Sequence, residues 1–261
     1  MSRIAEKFQE LKLAERNALI VFFTAGDPDI GATERFILAA TRAGADIVEI
    51  GIPFSDPVAE GEVIQRANAR ALASGTKIAD IFEMVVRLRT QTQVPLVFLT
   101  YANPVENYGK EAFFARCRET GVDGIIIPDV PFEEKDEFDV PARANGVDLI
   151  SLIAPTSLDR ISMIAKEARG FVYCVSSLGV TGVRSNIVTD LEPIVKSIRA
   201  ATDTPVAIGF GISTPAQVAE YGKFADGVIV GSALMKLVER DGAGASEAIE
   251  KFIRQLNKNA R

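Results

Sequence analysis

Residues 44–51 read Gly44-Ala45-Asp46-Ile47-Val48-Glu49-Ile50-Gly51. A glycine able to end a helix is followed by an aspartate and by a short β-branched run that a second glycine closes. The phrase returns as Gly121-Val122-Asp123, Gly146-Val147-Asp148 and Phe224-Ala225-Asp226, each after a helix-like stretch and before an apolar run. Four occurrences predict one supersecondary unit repeated along the chain. Working outward, eight short apolar runs lie at residues 18–24, 47–51, 95–100, 124–128, 149–153, 171–176, 205–209 and 227–231. Most are continuous rather than alternating, as in parallel strands covered by helices and packed about a filled interior. Segments with helical spacing lie between them, at 32–43, 63–73, 78–90, 110–120, 159–168, 191–200 and 214–221.

Strand and helix thus alternate throughout, and 261 residues sit close to the roughly 250 typical of an eight-fold βα barrel. The expected fold is α/β: a single (β/α)8 TIM barrel spanning residues 1–261, with an extra N-terminal helix in residues 1–17. No Pro/Ser/Gly-rich linker or charge block divides the chain. An open doubly wound sheet is disfavoured because the turn after the first strand, Thr24-Ala25-Gly26-Asp27-Pro28, is not a dinucleotide fingerprint. A net charge of -6 argues against nucleic acid as a partner but leaves room for a local anion site. Cys117 and Cys174 lack C-x-x-C spacing and read as structural thiols. No run approaches the roughly 18 apolar residues of a membrane span, and residues 1–17 lack the pattern of an export signal, so a cytoplasmic location is expected. With no histidine in the chain, any proton transfer rests on carboxylates, Tyr, Lys, Cys or water.

Alternation within residues 47–51 turns Val48 and Ile50 toward the helices, and Ile47, Glu49 and Gly51 toward the barrel interior. A carboxylate in that position should hold its proton to unusually high pH, which suits a general acid; the alternative is a Glu49 paired with Lys or Arg at the barrel mouth. The next loop carries Asp56, Glu60 and Glu62 among turn formers. Either one of them pairs with Glu49, or the loop is a solvated turn in which Asp56 fixes local backbone. Glycine-bearing loops at 179–182, 209–213 and 231–232 follow the last three strands, where barrels often bind phosphate through backbone amides and a helix dipole. A phosphorylated small molecule is the implied ligand.

Seven segments, Phe23-Thr24-Ala25-Gly26-Asp27-Pro28, Glu49-Ile50-Gly51-Ile52-Pro53-Phe54-Ser55-Asp56-Pro57, Tyr101-Ala102-Asn103-Pro104, Pro128-Asp129-Val130-Pro131, Gly179-Val180-Thr181-Gly182, Gly209-Phe210-Gly211-Ile212 and Gly231-Ser232-Ala233, together resemble the tryptophan synthase alpha chain family from end to end. The resemblance implies a retro-aldol cleavage of indole-3-glycerol phosphate to indole and glyceraldehyde 3-phosphate. Glu49 then matches the family's acid/base, and Glu60 stands where a loop aspartate meets the indole N–H. Here the chain departs: it reads Ala59-Glu60-Gly61-Glu62 where the family reads Ala-Asp-Gly-Pro, adding a methylene and removing a proline. The resemblance further implies an indole pocket lined by Phe22 and Tyr173, with Tyr101 also at the substrate. Thr181 would sit in a closing loop with Asp129 as its partner, and Gly182, Gly211, Gly231 and Ser232 would hold the phosphate. It implies no metal and no cofactor on this chain, pyridoxal phosphate belonging to the beta chain. The implied partner is that tryptophan synthase beta chain, in an α2β2 heterotetramer met through loops 53–62, 101–108 and 129–132, with no nucleic acid or membrane partner. Three rivals are another phosphate-binding barrel enzyme, a weakly catalytic activator of the beta chain, and a free-standing indole-releasing lyase.

Overall fold

The computed structural model describes residues 2–155, 158–175, 191–209 and 211–258. Among them, nine strands form one parallel sheet: β1 (Ala18–Thr24), β2 (Ile47–Gly51), β3 (Leu96–Leu99), β4 (Gly124–Ile126), β5 (Asp148–Leu149), β6 (Ser151–Ile153), β7 (Val172–Val175), β8 (Val206–Gly209) and β9 (Gly227–Val230). The order is β5-β4-β3-β2-β1-β9-β8-β7-β6. The two edges, β5 and β6, are consecutive in the chain and separated by Ile150 alone. The run expected as one fifth strand is therefore two short ones: its first half pairs with β4 and its second with β7. The amide of Ile150 donates to Ile125 at 2.8 Å, so the same run closes the sheet into a barrel.

A ring of helices covers the outside: α2 (Ile30–Arg42), α4 (Ile78–Arg89), α6 (Lys110–Thr120), α7 (Asp136–Ala144), α8 (Leu158–Lys166), α9 (Glu192–Arg199), α10 (Pro215–Tyr221) and α12 (Ser246–Asn257). Within it α2 packs on α4, α4 on α6, α6 on α7, α8 on α9, α10 on α12, and α12 back on α2. Four helices stand outside the ring: α1 (Arg3–Leu13), α3 (Glu62–Ala73), α5 (Ala102–Tyr108) and α11 (Ser232–Asp241). Of these, α3 and α11 pack on each other and on β1.

Strand alternation divides the buried residues into two shells. Val21, Val48, Ile50, Phe98 and Ile125 face the helices in one cluster; Ile20, Ile47, Val97, Ile126, Phe171 and Ile229 fill the interior in another. Ile4, Phe8 and Leu11 of α1 belong to the interior cluster, so the N-terminal helix stoppers the end of the barrel where the strands begin. Its start is pinned by Arg3 to Asp123 at 2.8 Å and by Ser2 Oγ to Asp148 at 2.8 Å.

The recurring aspartate has a physical role. The amides of Asp46, Asp123 and Asp226 donate to the carbonyls of Leu19, Leu96 and Val206, and their carboxylates accept from the amides of the same three residues. Each aspartate thus satisfies both backbone groups at the entry of the preceding strand, where no ladder partner reaches. Asp148 instead takes the Ser2 hydroxyl. Gly44, Gly121 and Gly146 adopt φ of 99°, 86° and 72°, the left-handed turn that ends a helix.

Candidate active site

At the opposite end, where the strands finish, a cavity of about 250 Å³ opens into the barrel. Its walls are largely apolar, with Ile64, Leu99, Ile126, Leu152, Val175 and Ile229 among them, and Phe22, Glu49, Glu60, Tyr173, Gly211, Gly231 and Ser232 also line it. Seven of the eleven residues expected at the site thus converge on one space. Thr181 and Gly182 lie outside the described residues. Tyr101 and Asp129 are not among the lining residues.

Glu49 pairs in register with Phe22 on β1 and Val97 on β3, and its side chain points inward. It is 1% exposed, and its Oε1 has no hydrogen-bonding partner. Among the described residues, no Lys or Arg forms an ion pair with it, contrary to the alternative of a salt-bridged glutamate. Burial, and then the Glu60 carboxylate, push its pKa up to about 8. Glu60 is also buried, and burial pushes its pKa up to about 7. The loop therefore contributes one buried acid, while Asp56 and Glu62 are exposed. Asp56 is engaged locally, accepting from the Ser55 hydroxyl.

The carbonyl of Glu60 accepts from Gln65 Nε2 at 2.8 Å, and the Ala59 amide donates to the Tyr101 hydroxyl at 3.1 Å. The Tyr101 ring lies 5.3 Å from that of Phe54, whose amide is held by Asn68 Oδ1 at 2.9 Å. The structure thus puts Tyr101 behind the acid-bearing loop as a support. Asp129 uses both carboxylate oxygens to accept from the Ala102 amide, at 3.0 and 3.2 Å, where α5 begins. Tyr173 is buried beside the two acids, and its pKa is raised far enough that it remains a neutral phenol.

Gly51 and Gly209 have roles the sequence reading did not assign. A Cβ on Gly51 would sit 2.6 Å from Cζ of Phe22, and one on Gly209 would collide with the Tyr173 hydroxyl. Each is the last residue of a strand adjacent to the one bearing the aromatic ring, so the missing side chain is the space the ring occupies. The signal was present as strand-terminal glycines beside inward-facing aromatics. Elsewhere in the lining, Gly231 precedes α11, Ser232 opens it and is buried at 8% exposure, and Gly211 adopts φ of 84°. A helix N-terminus facing a cavity offers unpaired amides and a positive dipole end to an anion.

The family model described as tryptophan synthase alpha chain matches residues 8–261. The chain is 52% identical to the tryptophan synthase alpha chain of Geobacter sulfurreducens over 260 residues, covering 99% of this chain and 98% of that one. It superposes on the tryptophan synthase of Mycobacterium tuberculosis with a TM-score of 0.91 at 34% identity, covering 100% and 98% of the two chains. It superposes on a chain of the tryptophan synthase α2β2 complex of Pyrococcus furiosus with a TM-score of 0.86 at 37% identity, covering 92% and 98%.

Proposed function

Because the chain belongs to the tryptophan synthase alpha chain family, which cleaves indole-3-glycerol phosphate in tryptophan biosynthesis, we propose that Glu49 carries the proton transfers of that cleavage while the Glu60 carboxylate stabilises the charge that develops on the ring. The enzyme is a carbon–carbon lyase, releasing indole and glyceraldehyde 3-phosphate. The observation that carries the assignment is two buried carboxyls on one apolar cavity, held at about 8 and about 7. Burial raises both, and the Glu60 charge raises Glu49 further, so Glu49 is the carboxyl that holds its proton to the higher pH, the order an acid beside a carboxylate needs.

Glu60 accepts the indole N–H and offsets the positive charge that grows on the ring as Glu49 delivers its proton to the ring carbon bearing the side chain. The bond from that carbon to the glycerol chain then breaks and its electron pair returns to the ring. The hydroxyl on the released carbon becomes the aldehyde, and its proton passes to the Glu49 carboxylate, which is restored. Phe22 and the aliphatic walls hold the indole plane, and the neutral Tyr173 borders the acids. The backbone at Gly211 and Gly231, with Ser232 at the start of α11, receives the phosphate, joined by Gly182 on the family resemblance. On the same resemblance Thr181 closes over substrate against Asp129. Tyr101 acts through the loop it supports.

We further propose one barrel domain over residues 1–261, a cytoplasmic location, and a tryptophan synthase beta chain as partner in an α2β2 assembly. Loops 53–62, 101–108 and 129–132 would meet it. Val58 at 72% on the first of these segments and Tyr108 at 36% at the end of α5 are large apolar side chains exposed there, which supports that face. Among the described residues no helix is long and apolar enough to cross a membrane.

The test is indole release from indole-3-glycerol phosphate by the purified chain, with and without a beta chain, beside Glu49→Gln and Glu60→Asp. Slow release alone, acceleration by beta chain and loss in Glu49→Gln support the assignment; Glu60→Asp reports whether the longer acid is tuned to this loop. No indole with beta chain present, while beta-chain turnover of serine and added indole still rises, would make the chain an activator.

A further inference from the structure

The two helices that frame the site stand outside the barrel ring, and a charge network joins them. Helix α3 begins two residues after Glu60, and α11 begins at Ser232. On α3, Arg66 and Arg70 lie one turn apart and both reach Glu239 on α11. Arg66 Nε is 2.6 Å from Glu239 Oε1, its second nitrogen donates to Oε2 at 3.1 Å, and Arg70 reaches Oε1 at 3.3 Å. Arg70 turns its other edge to Asp27, in the loop after β1, with bonds of 2.8 and 2.7 Å to the two carboxylate oxygens. Asp27 is 1% exposed, and these two bonds from Arg70 form its ion pair. A planar guanidinium forked onto a buried carboxylate fixes direction as well as distance.

We propose that Arg70, with Arg66, Asp27 and Glu239, is a positioning device that sets the distance between the acid at Glu60 and the anion-binding start of α11. This rests on the site reading above. The segments it ties follow β1, β2 and β9, neighbours at one point of the barrel, and they bring Glu60 and the Ser232 start of α11 to the cavity beside Phe22 of β1. The two catalytic carboxyls are not equally dependent on it. Glu49 is built into a strand and needs no such tie. Glu60 sits on a loop whose frame includes α3 through the Gln65 bond to its carbonyl. Loosening α3 against α11 should therefore displace Glu60 relative to a substrate held at its phosphate end, while Glu49 stays in place.

The experiment is a double-mutant cycle of Glu239→Gln with Glu60→Gln, reading kcat and KM for indole-3-glycerol phosphate in the α–β complex. Arg116→Gln, which removes exposed ion pairs with Glu83 on α4 and Glu119 on α6, away from the network, is the control. The wild-type rate, measured first, tests the site reading; without indole release that reading fails and this proposal with it. Given release, Glu239→Gln should lower kcat/KM by on the order of ten- to a hundredfold in the wild-type background, as for a displacement of about 1 Å. It should cost less than about twofold once Glu60 is already Gln, because the group being positioned is gone. Should Glu239→Gln not fold, Arg66→Gln, whose side chain is half exposed, replaces it in the cycle. Unchanged kcat/KM in Glu239→Gln, or the same loss in both backgrounds, would overturn the proposal, the latter result marking the network as structural only.

Discussion

Replacing Glu49 by Gln should stabilise the fold increasingly as pH rises, at the same time as it removes the reaction. In the folded protein the Glu49 carboxyl titrates at about 8, against an ordinary 4.5 in the unfolded chain. Between those values the unfolded chain has lost a proton that the folded one still holds, so rising pH favours unfolding, at about 1.4 kcal/mol per pH unit. Below pH 4.5 both states carry the proton and the group contributes nothing to the slope. Above pH 8 both have lost it and the deficit is constant, at roughly 5 kcal/mol as an upper bound. A glutamine does not titrate. Its amide leaves a buried polar atom in the same dry position, an offset of roughly 1–3 kcal/mol that does not depend on pH. The assay is urea unfolding of wild type and Glu49→Gln from pH 5 to 9. The difference between their unfolding free energies should move in favour of the variant from pH 5 to about 8 and flatten above it. A difference that stays level from pH 5 to 8 would refute the reasoning, since Glu49 would then titrate like a solvated carboxyl.

Three further outcomes follow from the geometry. Gly51→Ala pushes a methyl to 2.6 Å from Phe22 Cζ and the ring into the cavity, so KM for indole-3-glycerol phosphate should rise on the order of tenfold, and Phe22→Leu on top should recover most of it. Tyr101→Phe removes the acceptor of the Ala59 amide, and kcat should fall by roughly tenfold in steady-state assays without loss of the folded cavity. Asp123→Ala removes the carboxylate partner of Arg89 and Arg3 and leaves the Leu96 amide unpaired where the strands begin. Urea titration should show a loss of roughly 3–5 kcal/mol, with kcat unchanged where the protein is folded.

The barrel was legible because its strands are continuous apolar runs and because one phrase, helix-ending glycine and aspartate, recurs at their entries. The phrase is physical: Asp46, Asp123 and Asp226 each satisfy the entry of the preceding strand. Glu49 was legible for the same reason, since alternation alone turns it inward. Its partner was legible only through the family resemblance, which pointed to Glu60, and not from the loop's own residues. Asp56, Glu60 and Glu62 are equivalent in composition, and only the path of the loop, held by Tyr101 and Gln65, buries Glu60. Tyr101 was placed at the substrate because it belongs to a motif of the family, while its hydroxyl is spent on that loop. The tie between Asp27, Arg70 and Glu239 joins residues far apart in sequence, and no local pattern announces it. The split at Ile150 was likewise hidden: it depends on which neighbour each half of the strand pairs with.

The central claim, that two buried carboxyls share the chemistry in opposite protonation states, is tested most directly by kcat/KM for indole release against pH in the wild type and in Glu60→Gln and Glu49→Gln. The wild type should give a bell whose two limbs are the two titration steps of the Glu60–Glu49 pair, both displaced upward from the ordinary carboxylate range by burial. Glu60→Gln should lose the rising limb, and Glu49→Gln should be slower by roughly 10²–10⁴ at every pH. A Glu49→Gln enzyme that keeps both the bell and the wild-type rate would contradict the account.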